Sequence, residues 1–194
     1  MNTSLQVLIW LAGIFIVLVT ISKILLLRRL FAQKYLKWYR PSRLARDSYW
    51  IYEISFWLVF AIAIGEFYRS NNAISLIHYV GFALIFIAGL VKISAKHARK
   101  QYLIVQVSHD KEKELLTKGI YSRVRHPTAL SALLFLAGIA CAIGSVFSKI
   151  FLVVFFIPAV IYRINTIDEA MREKYKVQYE RYMKQVKKLI PGIY

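Results

Sequence analysis

Cysteine and acidic residues are scarce in this 194-residue sequence, and each scarcity excludes a kind of site. Cys141 is the only cysteine, so the chain has no intrachain disulfide bond and no cysteine-rich metal centre. Ten Asp and Glu stand against 27 Lys and Arg, which gives a net charge of +17. We find no catalytic triad and no cluster of metal ligands at a useful spacing, and we therefore predict no metal ion.

Apolar residues make up 58% of the chain and are gathered into long runs. A disordered basic tail lacks this apolar content, and a soluble domain buries its apolar residues in shorter, periodic runs. A nucleic-acid-binding protein can carry the positive charge but not several runs of bilayer length, so we predict no nucleic-acid partner. The composition predicts an all-α integral membrane protein whose main partner is the lipid bilayer.

Five apolar runs are predicted to cross the bilayer as helices. The first four each have the roughly 20 residues that span about 30 Å of hydrocarbon. The fifth has only 13 uncharged residues before Arg163, so either it stops short of the far interface or Arg163 lies at membrane depth. Pro158 should kink this helix or free a carbonyl. The five runs are Leu5–Leu27, Tyr49–Phe67, Ile74–Ile93, Pro127–Phe147 and Ile150–Thr166.

Basic residues are concentrated on alternate sides of these runs. Residues 28–47 contain seven Lys and Arg, residues 92–125 contain nine, and residues 163–194 contain eight. The two opposite loops hold only Arg69 and Lys149. The positive-inside rule then places the N-terminus outside and the C-terminus in the cytoplasm. Attraction of the basic segments to anionic lipid headgroups accounts for much of the net charge.

The C-terminal stretch from Asp168 to Leu189 is predicted to form an amphipathic helix. It is polar but keeps aromatic residues at Tyr175, Tyr179 and Tyr182, at spacings of four and three. These spacings place the three rings on one helical face, which we expect to lie against the membrane or the helix bundle.

The cytoplasmic segment before the fourth run has an unusual composition for a connector. Pro127 suits the first turn of a helix, where its missing N–H has no effect on the hydrogen-bond ladder. His126 then lies at a helix N-terminus, where free backbone N–H groups favour an anion. An ordinary positive-inside flank also explains a lone cluster of Arg123, Arg125 and His126, so the cluster alone does not establish a site.

Two motifs in this region resemble those of a known membrane enzyme family. They are Leu115-Leu116-Thr117-Lys118-Gly119-Ile120-Tyr121 and Arg125-His126-Pro127-Thr128-Ala129, followed by Arg163, Asp168-Glu169 and Leu189-Ile190-Pro191. Their order and spacing resemble the isoprenylcysteine carboxyl methyltransferase family, whose relatives include the phospholipid N-methyltransferases. The resemblance covers Gln106 to Tyr194, nearly half of the chain.

The resemblance implies that S-adenosylmethionine binds at the cytoplasmic face and that a lipophilic acceptor enters from the bilayer. It implies that the cofactor's carboxylate binds at His126 and that Asp168 or Glu169 contacts the cofactor's ammonium or ribose hydroxyls. Arg163 matches a position linked to the acceptor, and we predict that it holds an anionic group. The implied catalytic residues are Arg163, Asp168 and Glu169, and the implied cofactor-binding residues are Gln106, Lys113, Glu114, Leu115, Leu116, Tyr121, Arg125, His126, Pro127 and Thr128.

Other interpretations of these charged residues remain. Arg163 fits snorkelling to the membrane interface, and the pair Asp168-Glu169 fits favourable charge at a helix N-terminus. Three departures from the family pattern indicate a divergent member. Ala129 replaces a Tyr, Ile167 and Asp168 occupy the positions of a Glu pair, and Lys176 replaces a Gly.

We therefore predict a membrane methyltransferase that uses S-adenosylmethionine and resembles isoprenylcysteine carboxyl O-methyltransferase. Methyl transfer from a sulfonium needs aligned reactants and excluded water rather than a metal. A phospholipid amine or a small lipophilic thiol is an alternative acceptor, and a non-catalytic scaffold or a transporter subunit is an alternative class. The predicted single domain divides into residues 1–105, with three spans and a basic loop, and residues 106–194, with the cofactor segment, a helical hairpin and the amphipathic helix. No oligomeric state is implied.

Overall fold

The structure, a computed structural model, describes residues 43–69, 75–109 and 115–190, which belong to one compact unit. Every regular element within these ranges is a helix, which confirms the predicted all-α class. The first predicted span, Leu5–Leu27, lies outside the described residues. The helices are α1 (Arg43–Arg69), α2 (Leu76–His109), α3 (Pro127–Ala142), α4 (Val146–Phe151), α5 (Ile157–Tyr175) and α6 (Val177–Gln185).

Three helical stretches are long and apolar enough to cross a membrane. They are Asp47–Phe67, Leu76–Arg99 and Val146–Tyr175, and they correspond to the second, third and fifth predicted spans. The predicted division of the chain at residues 105 and 106 falls within α2.

The fourth predicted span is shorter than expected. Helix α3 ends at Ala142 after 16 residues, or about 24 Å at 1.5 Å per residue. Gly144 then adopts a positive φ of 74°, a conformation that glycine accepts without strain. Ser145 caps the next helix because its hydroxyl accepts a hydrogen bond from the backbone N–H of Ser148 at 3.0 Å. The turn between the two helices therefore lies a few residues earlier than the sequence predicts.

Pro158 is preceded by a π-helical turn that joins α4 to α5. This turn covers Leu152–Phe156. Pro158 has no backbone N–H, so the carbonyl of Val154 loses its usual partner four residues on. Bonds to the fifth residue instead widen the helix locally. The long helix thus continues through the proline without ending.

Helices α2 and α3 pack closely because small residues line their contact. A Cβ atom added to Gly81 would lie 2.2 Å from the backbone nitrogen of Ala142, and one added to Gly138 would lie 2.8 Å from the carbonyl oxygen of Gly81. The hydroxyl of Ser131 donates to the carbonyl of Ala88 across the same contact at 3.0 Å. Small-residue contacts of this kind let membrane helices approach and gain dispersion energy.

Helix α1 packs against the helix that contains Pro158. Phe56 lies between two rings, with centroid distances of 6.3 Å to Phe135 and 5.9 Å to Phe156. The hydroxyl of Ser148 donates to the carbonyl of Val59 at 3.3 Å. These contacts connect α1 to both α3 and the α4–α5 helix.

The predicted amphipathic helix from Asp168 to Leu189 is divided in two. Helix α5 continues through Asp168 to Tyr175, and α6 begins only at Val177. The break is at Lys176, whose φ of 45° ends α5 and redirects the chain. The redirected α6 packs its tyrosines in a cluster of Tyr179, Tyr182 and Val186 against Leu115, Met171, Tyr175 and Met183.

Candidate active site

The Arg-His-Pro motif lies directly at the start of α3. Pro127 is the first helical residue and His126 is the N-cap, as the sequence predicts for a proline in the first helical turn. Arg125 and His126 are each only 8% exposed. Basic residues that only set the orientation of a helix in the membrane would be exposed to solvent. The burial of both side chains therefore indicates that they belong to a polar site.

Asp168 of α5 receives three hydrogen bonds at this position. Its Oδ2 accepts from Nη1 of Arg125 at 3.0 Å, and its Oδ1 is 2.7 Å from Nε2 of His126. The hydroxyl of Tyr179 donates to the same Oδ1 at 2.5 Å. Asp168 is itself 5% exposed. Charge-assisted hydrogen bonds of this kind are short and strong, so the carboxylate joins α3, α5 and α6.

One donor in this cluster has no partner within the described part of the chain. Nε of Arg125 is buried there without a hydrogen bond. Leaving a buried donor unsatisfied costs about 1–3 kcal/mol, and more for a charged group. Such groups are rare in native structures. The unpaired N–H beside the N-terminus of α3 therefore indicates a place for an anionic ligand.

The segment that follows α6 pairs with the Arg-His-Pro motif through its backbone. Val124 and Lys187 form an isolated parallel β-bridge. The N–H of Arg125 donates to the carbonyl of Lys187, and the N–H of His126 donates to that of Lys188, both at 3.0 Å. The C-terminal segment is therefore a part of the site and not only a membrane tether.

A 3₁₀ turn at Gly119–Ser122 precedes the motif and is also held by α6. The hydroxyl of Tyr182 donates to the carbonyl of Tyr121 at 2.6 Å. Gly119 has a φ of +66°, and a Cβ atom there would be 3.3 Å from the Cβ of Ala98. This conformation explains why the motif has glycine at this position.

The tyrosines around the cluster remain neutral donors. Burial raises the pKa of Tyr179 well above its usual value, and its hydrogen bond to Asp168 adds to that rise. Burial likewise raises the pKa of Tyr182 and that of Tyr121. Their hydroxyl groups therefore keep their protons throughout the physiological pH range.

Arg163 lies one and a half turns before Asp168 and faces a different helix. Its Nη1 donates to the hydroxyl of Ser48 on α1 at 3.0 Å. The guanidinium carbon is 5.4 Å from the ring centroid of Tyr49, a cation–π distance. Arg163 is half-buried in this contact, so the structure places it between two helices.

A small cavity opens beside Asp168. Its volume is about 160 Å³. Nζ of Lys188 donates to Oδ1 of Asn165 at its edge, at 2.7 Å. Glu169 is exposed and lines this cavity, so both members of the predicted acidic pair border the same space. The lining residues are Asn165, Asp168, Glu169, Arg172, Met183 and Lys188.

The structure brings some of the predicted site residues together and leaves others apart. Arg125, His126 and Asp168 form one cluster, whereas Arg163 contacts α1. Leu115 packs on the tyrosine cluster of α6. Pro127 is buried, and Leu116, Tyr121 and Thr128 are half-buried. Lys113, Glu114 and the side chain of Gln106 lie outside the described residues.

Two residues of the site were not predicted as such from the sequence. Tyr179 and Tyr182 were assigned only to an amphipathic face, but their hydroxyl groups bond Asp168 and Tyr121. Their spacing predicted burial of the rings. No spacing signal predicts the acceptor of each hydroxyl, because that depends on how α6 folds back after Lys176.

The described fold and cluster define an integral membrane protein with a buried polar cluster where the start of α3 meets α5 and α6. A family model described as phospholipid methyltransferase matches residues 76–178, slightly more than half of the chain. The chain belongs to this family, which confirms the family membership predicted from its motifs, and it is a membrane methyltransferase. No curated protein and no solved structure matches the sequence.

Proposed function

We propose that the protein transfers a methyl group from S-adenosylmethionine to a lipophilic acceptor. The family match supports methyl transfer at a membrane. The observation that carries the proposal is the buried cluster of Arg125, His126 and Asp168 at the start of α3, with Nε of Arg125 unpaired among the described residues.

The donors at this position fit the carboxylate of the cofactor's amino-acid end. The N-terminus of α3 carries a partial positive charge that favours an anion, although Pro127 has no N–H and the N–H of Ala129 already donates to the carbonyl of His126. The N–H of Arg125 Nε adds a charged donor beside it. When bound, S-adenosylmethionine supplies an electrophilic methyl group on a sulfonium. Asp168 accepts three hydrogen bonds, and because a carboxylate has about four acceptor positions, it retains room for one cofactor ammonium or hydroxyl.

The residues around the cluster contribute positioning and exclusion of water. Arg125, His126 and Asp168 are all more than 90% buried, so the protein itself keeps most water from the cluster. Holding two reactants in line can supply about 7–11 kcal/mol of the barrier. A site with few titratable groups is therefore sufficient for this chemistry.

We place the acceptor's anionic group at Arg163. Its guanidinium has a fixed fork of N–H donors that suits an oxyanion, and it lies between α1 and α5 beside Ser48 and Tyr49. The exposed apolar side chains of these helices give a lipid chain a surface along which to approach. The carboxylate of a prenylated cysteine is the main acceptor that we propose, and the distribution of basic residues supports a site at the cytoplasmic face.

Methyl transfer from labelled cofactor tests the proposal. The full-length protein in vesicles would be offered, in separate reactions, a farnesylated cysteine derivative, phosphatidylethanolamine and a lipophilic thiol. We expect label in a base-labile methyl ester of the first. Label in a base-stable N-methyl or thioether product would show instead that the acceptor is the phospholipid amine or the thiol. Absence of both binding and transfer in folded protein would instead support a non-catalytic scaffold.

A substitution at Arg163 distinguishes an effect on acceptor binding from an effect on cofactor binding. The variant Arg163→Gln removes the charge but keeps a hydrogen-bonding group beside Ser48. We expect a raised KM for the acceptor, by about tenfold for one charge-assisted contact, with cofactor affinity unchanged. An equal loss of both affinities would contradict an acceptor role for Arg163.

A further inference from the structure

Helix α6 contacts the Asp168 carboxylate through the hydroxyl group of Tyr179. Tyr179 is 3% exposed, and its hydroxyl donates to Oδ1 of Asp168 at 2.5 Å. The same oxygen lies 2.7 Å from Nε2 of His126. We infer that Tyr179 is a positioning residue, which holds the Asp168 carboxylate in the orientation that fixes the His126 ring. The inference rests on the proposed function, because it assigns this ring to the cofactor site.

Three donors together determine the plane of the Asp168 carboxylate. Nη1 of Arg125 donates to Oδ2, while Nε2 of His126 and the hydroxyl of Tyr179 both donate to Oδ1. Without the Tyr179 hydroxyl, Oδ1 would keep only His126 as a donor, so the carboxylate would turn more easily about its Cβ–Cγ bond and its bond to His126 would lengthen. The Tyr179 hydroxyl prevents this rotation from the side of α6, a position that neither α3 nor α5 supplies.

The orientation of the carboxylate determines which nitrogen of His126 faces a ligand. Nε2 is engaged by Asp168, so Nδ1 is the ring nitrogen that remains for a ligand at the start of α3. Which nitrogen carries the proton is set by the hydrogen bond of the other. Tyr179 therefore acts on His126 through Asp168, without touching the cofactor itself.

The placement of Tyr179 is itself reinforced by the backbone. Lys187 and Lys188 accept the backbone N–H groups of Arg125 and His126, and Tyr182 donates to the carbonyl of Tyr121. Tyr182 of α6 and the segment just after α6 thus hold the motif independently of Tyr179. Loss of the Tyr179 hydroxyl would leave these attachments intact, which makes its own contribution measurable.

The variant Tyr179→Phe removes the hydroxyl and keeps the ring. We expect S-adenosylmethionine affinity to fall about tenfold, the size expected for loss of a hydrogen bond to a charged group. The matched control is Tyr175→Phe, because Tyr175 packs against the same cluster but has no hydroxyl hydrogen bond among the described residues. The control is expected to bind the cofactor as the wild type does.

A double-mutant cycle shows whether the effect passes through Asp168. In an Asp168→Asn background, Tyr179→Phe should change cofactor affinity by less than about twofold, because coupled residues are not additive. If the tenfold loss persisted in that background, Tyr179 would act independently of Asp168 and the inference would be overturned.

A measurement without cofactor separates this inference from the proposed function. In protein labelled with ¹⁵N-histidine, the Nε2 resonance of His126, assigned by its loss in His126→Gln, should move in Tyr179→Phe and not in Tyr175→Phe. If the resonance moves but the wild type binds no S-adenosylmethionine, the proposed function fails while the positioning role stands. If the resonance stays and cofactor affinity is unchanged, the positioning role is wrong.

Discussion

At the scale of single residues, the site depends on a few side chains whose partners come from distant parts of the sequence. Arg125 and Asp168 are 43 residues apart in sequence, and Asp168 and Tyr179 are 11 apart. The motif predicts Arg125 and His126 as site residues from local sequence alone. Their pairing with Asp168 requires the fold, since it depends on how α3 and α5 approach each other.

The buried guanidinium gives a prediction about cofactor binding. Arg125→Lys keeps a positive charge that can reach Asp168 but removes the Nε donor and the planar fork. We expect cofactor affinity to fall about tenfold, because the cofactor carboxylate loses one charged donor. Isothermal titration of S-adenosylmethionine into purified protein measures this. Arg123→Lys, at an exposed neighbouring arginine, is the control and should bind normally; equal affinities for all three proteins would contradict the assignment.

Lys176 gives a prediction about stability. Its φ of 45° lies where residues with a Cβ atom are strained. Lys176→Gly should raise the free energy of unfolding by about 1 kcal/mol. Lys184→Gly, at an exposed residue of α6, should lower it by about the same amount. Denaturant titration in detergent measures both, and a loss of stability in Lys176→Gly would contradict the strain argument.

At the scale of helices, hydrophobic runs predicted the elements well but their ends less well. Runs of about 20 apolar residues predict spans because the bilayer thickness dictates the length. The end of α3 at Ala142 depends instead on the positive φ of Gly144 and the Ser145 cap. The division between α5 and α6 depends on a lysine in a glycine-like conformation, which no residue preference indicates.

The contact between α2 and α3 gives a prediction with a control on the same helix. A Cβ atom on Gly81 would meet the backbone of Ala142 at 2.2 Å, whereas one on Gly89 would meet nothing within 4 Å. Gly81→Ala should therefore lower the free energy of unfolding by about 1–3 kcal/mol, the usual range for overpacking. Gly89→Ala should be neutral or slightly stabilising. Unfolding by SDS in mixed micelles measures both variants, and equal stabilities would contradict the close contact.

At the scale of the whole molecule, the chain combines membrane-spanning helices with a buried polar cluster. The predicted class and family are confirmed, because bilayer-length runs and the Arg-His-Pro motif are properties of local sequence. The orientation of the helices in the membrane stays a prediction from the distribution of basic residues. The acceptor depends on the shape of a surface between helices, which local sequence does not encode.

Cysteine labelling tests the sidedness. The chain has one cysteine, so Cys141→Ala provides a cysteine-free background. A cysteine introduced at Phe147, an exposed position in the first turn of α4, should react with a membrane-impermeant maleimide on intact cells. One introduced at Arg181 on α6 should react only after permeabilisation, because the basic segments are predicted to be cytoplasmic. The reverse pattern would overturn the predicted orientation.

Titration of S-adenosylmethionine into His126→Ala shows whether the Arg-His-Pro motif holds the cofactor. His126 is the N-cap of α3 and contacts Asp168, so its loss removes one side chain of the proposed cofactor site. The control is His78→Ala, at the opposite end of α2 from the segment that precedes α3. We expect wild type and His78→Ala to bind S-adenosylmethionine, and His126→Ala to remain inserted in the membrane and bind none. Unchanged cofactor affinity in folded His126→Ala would contradict this expectation.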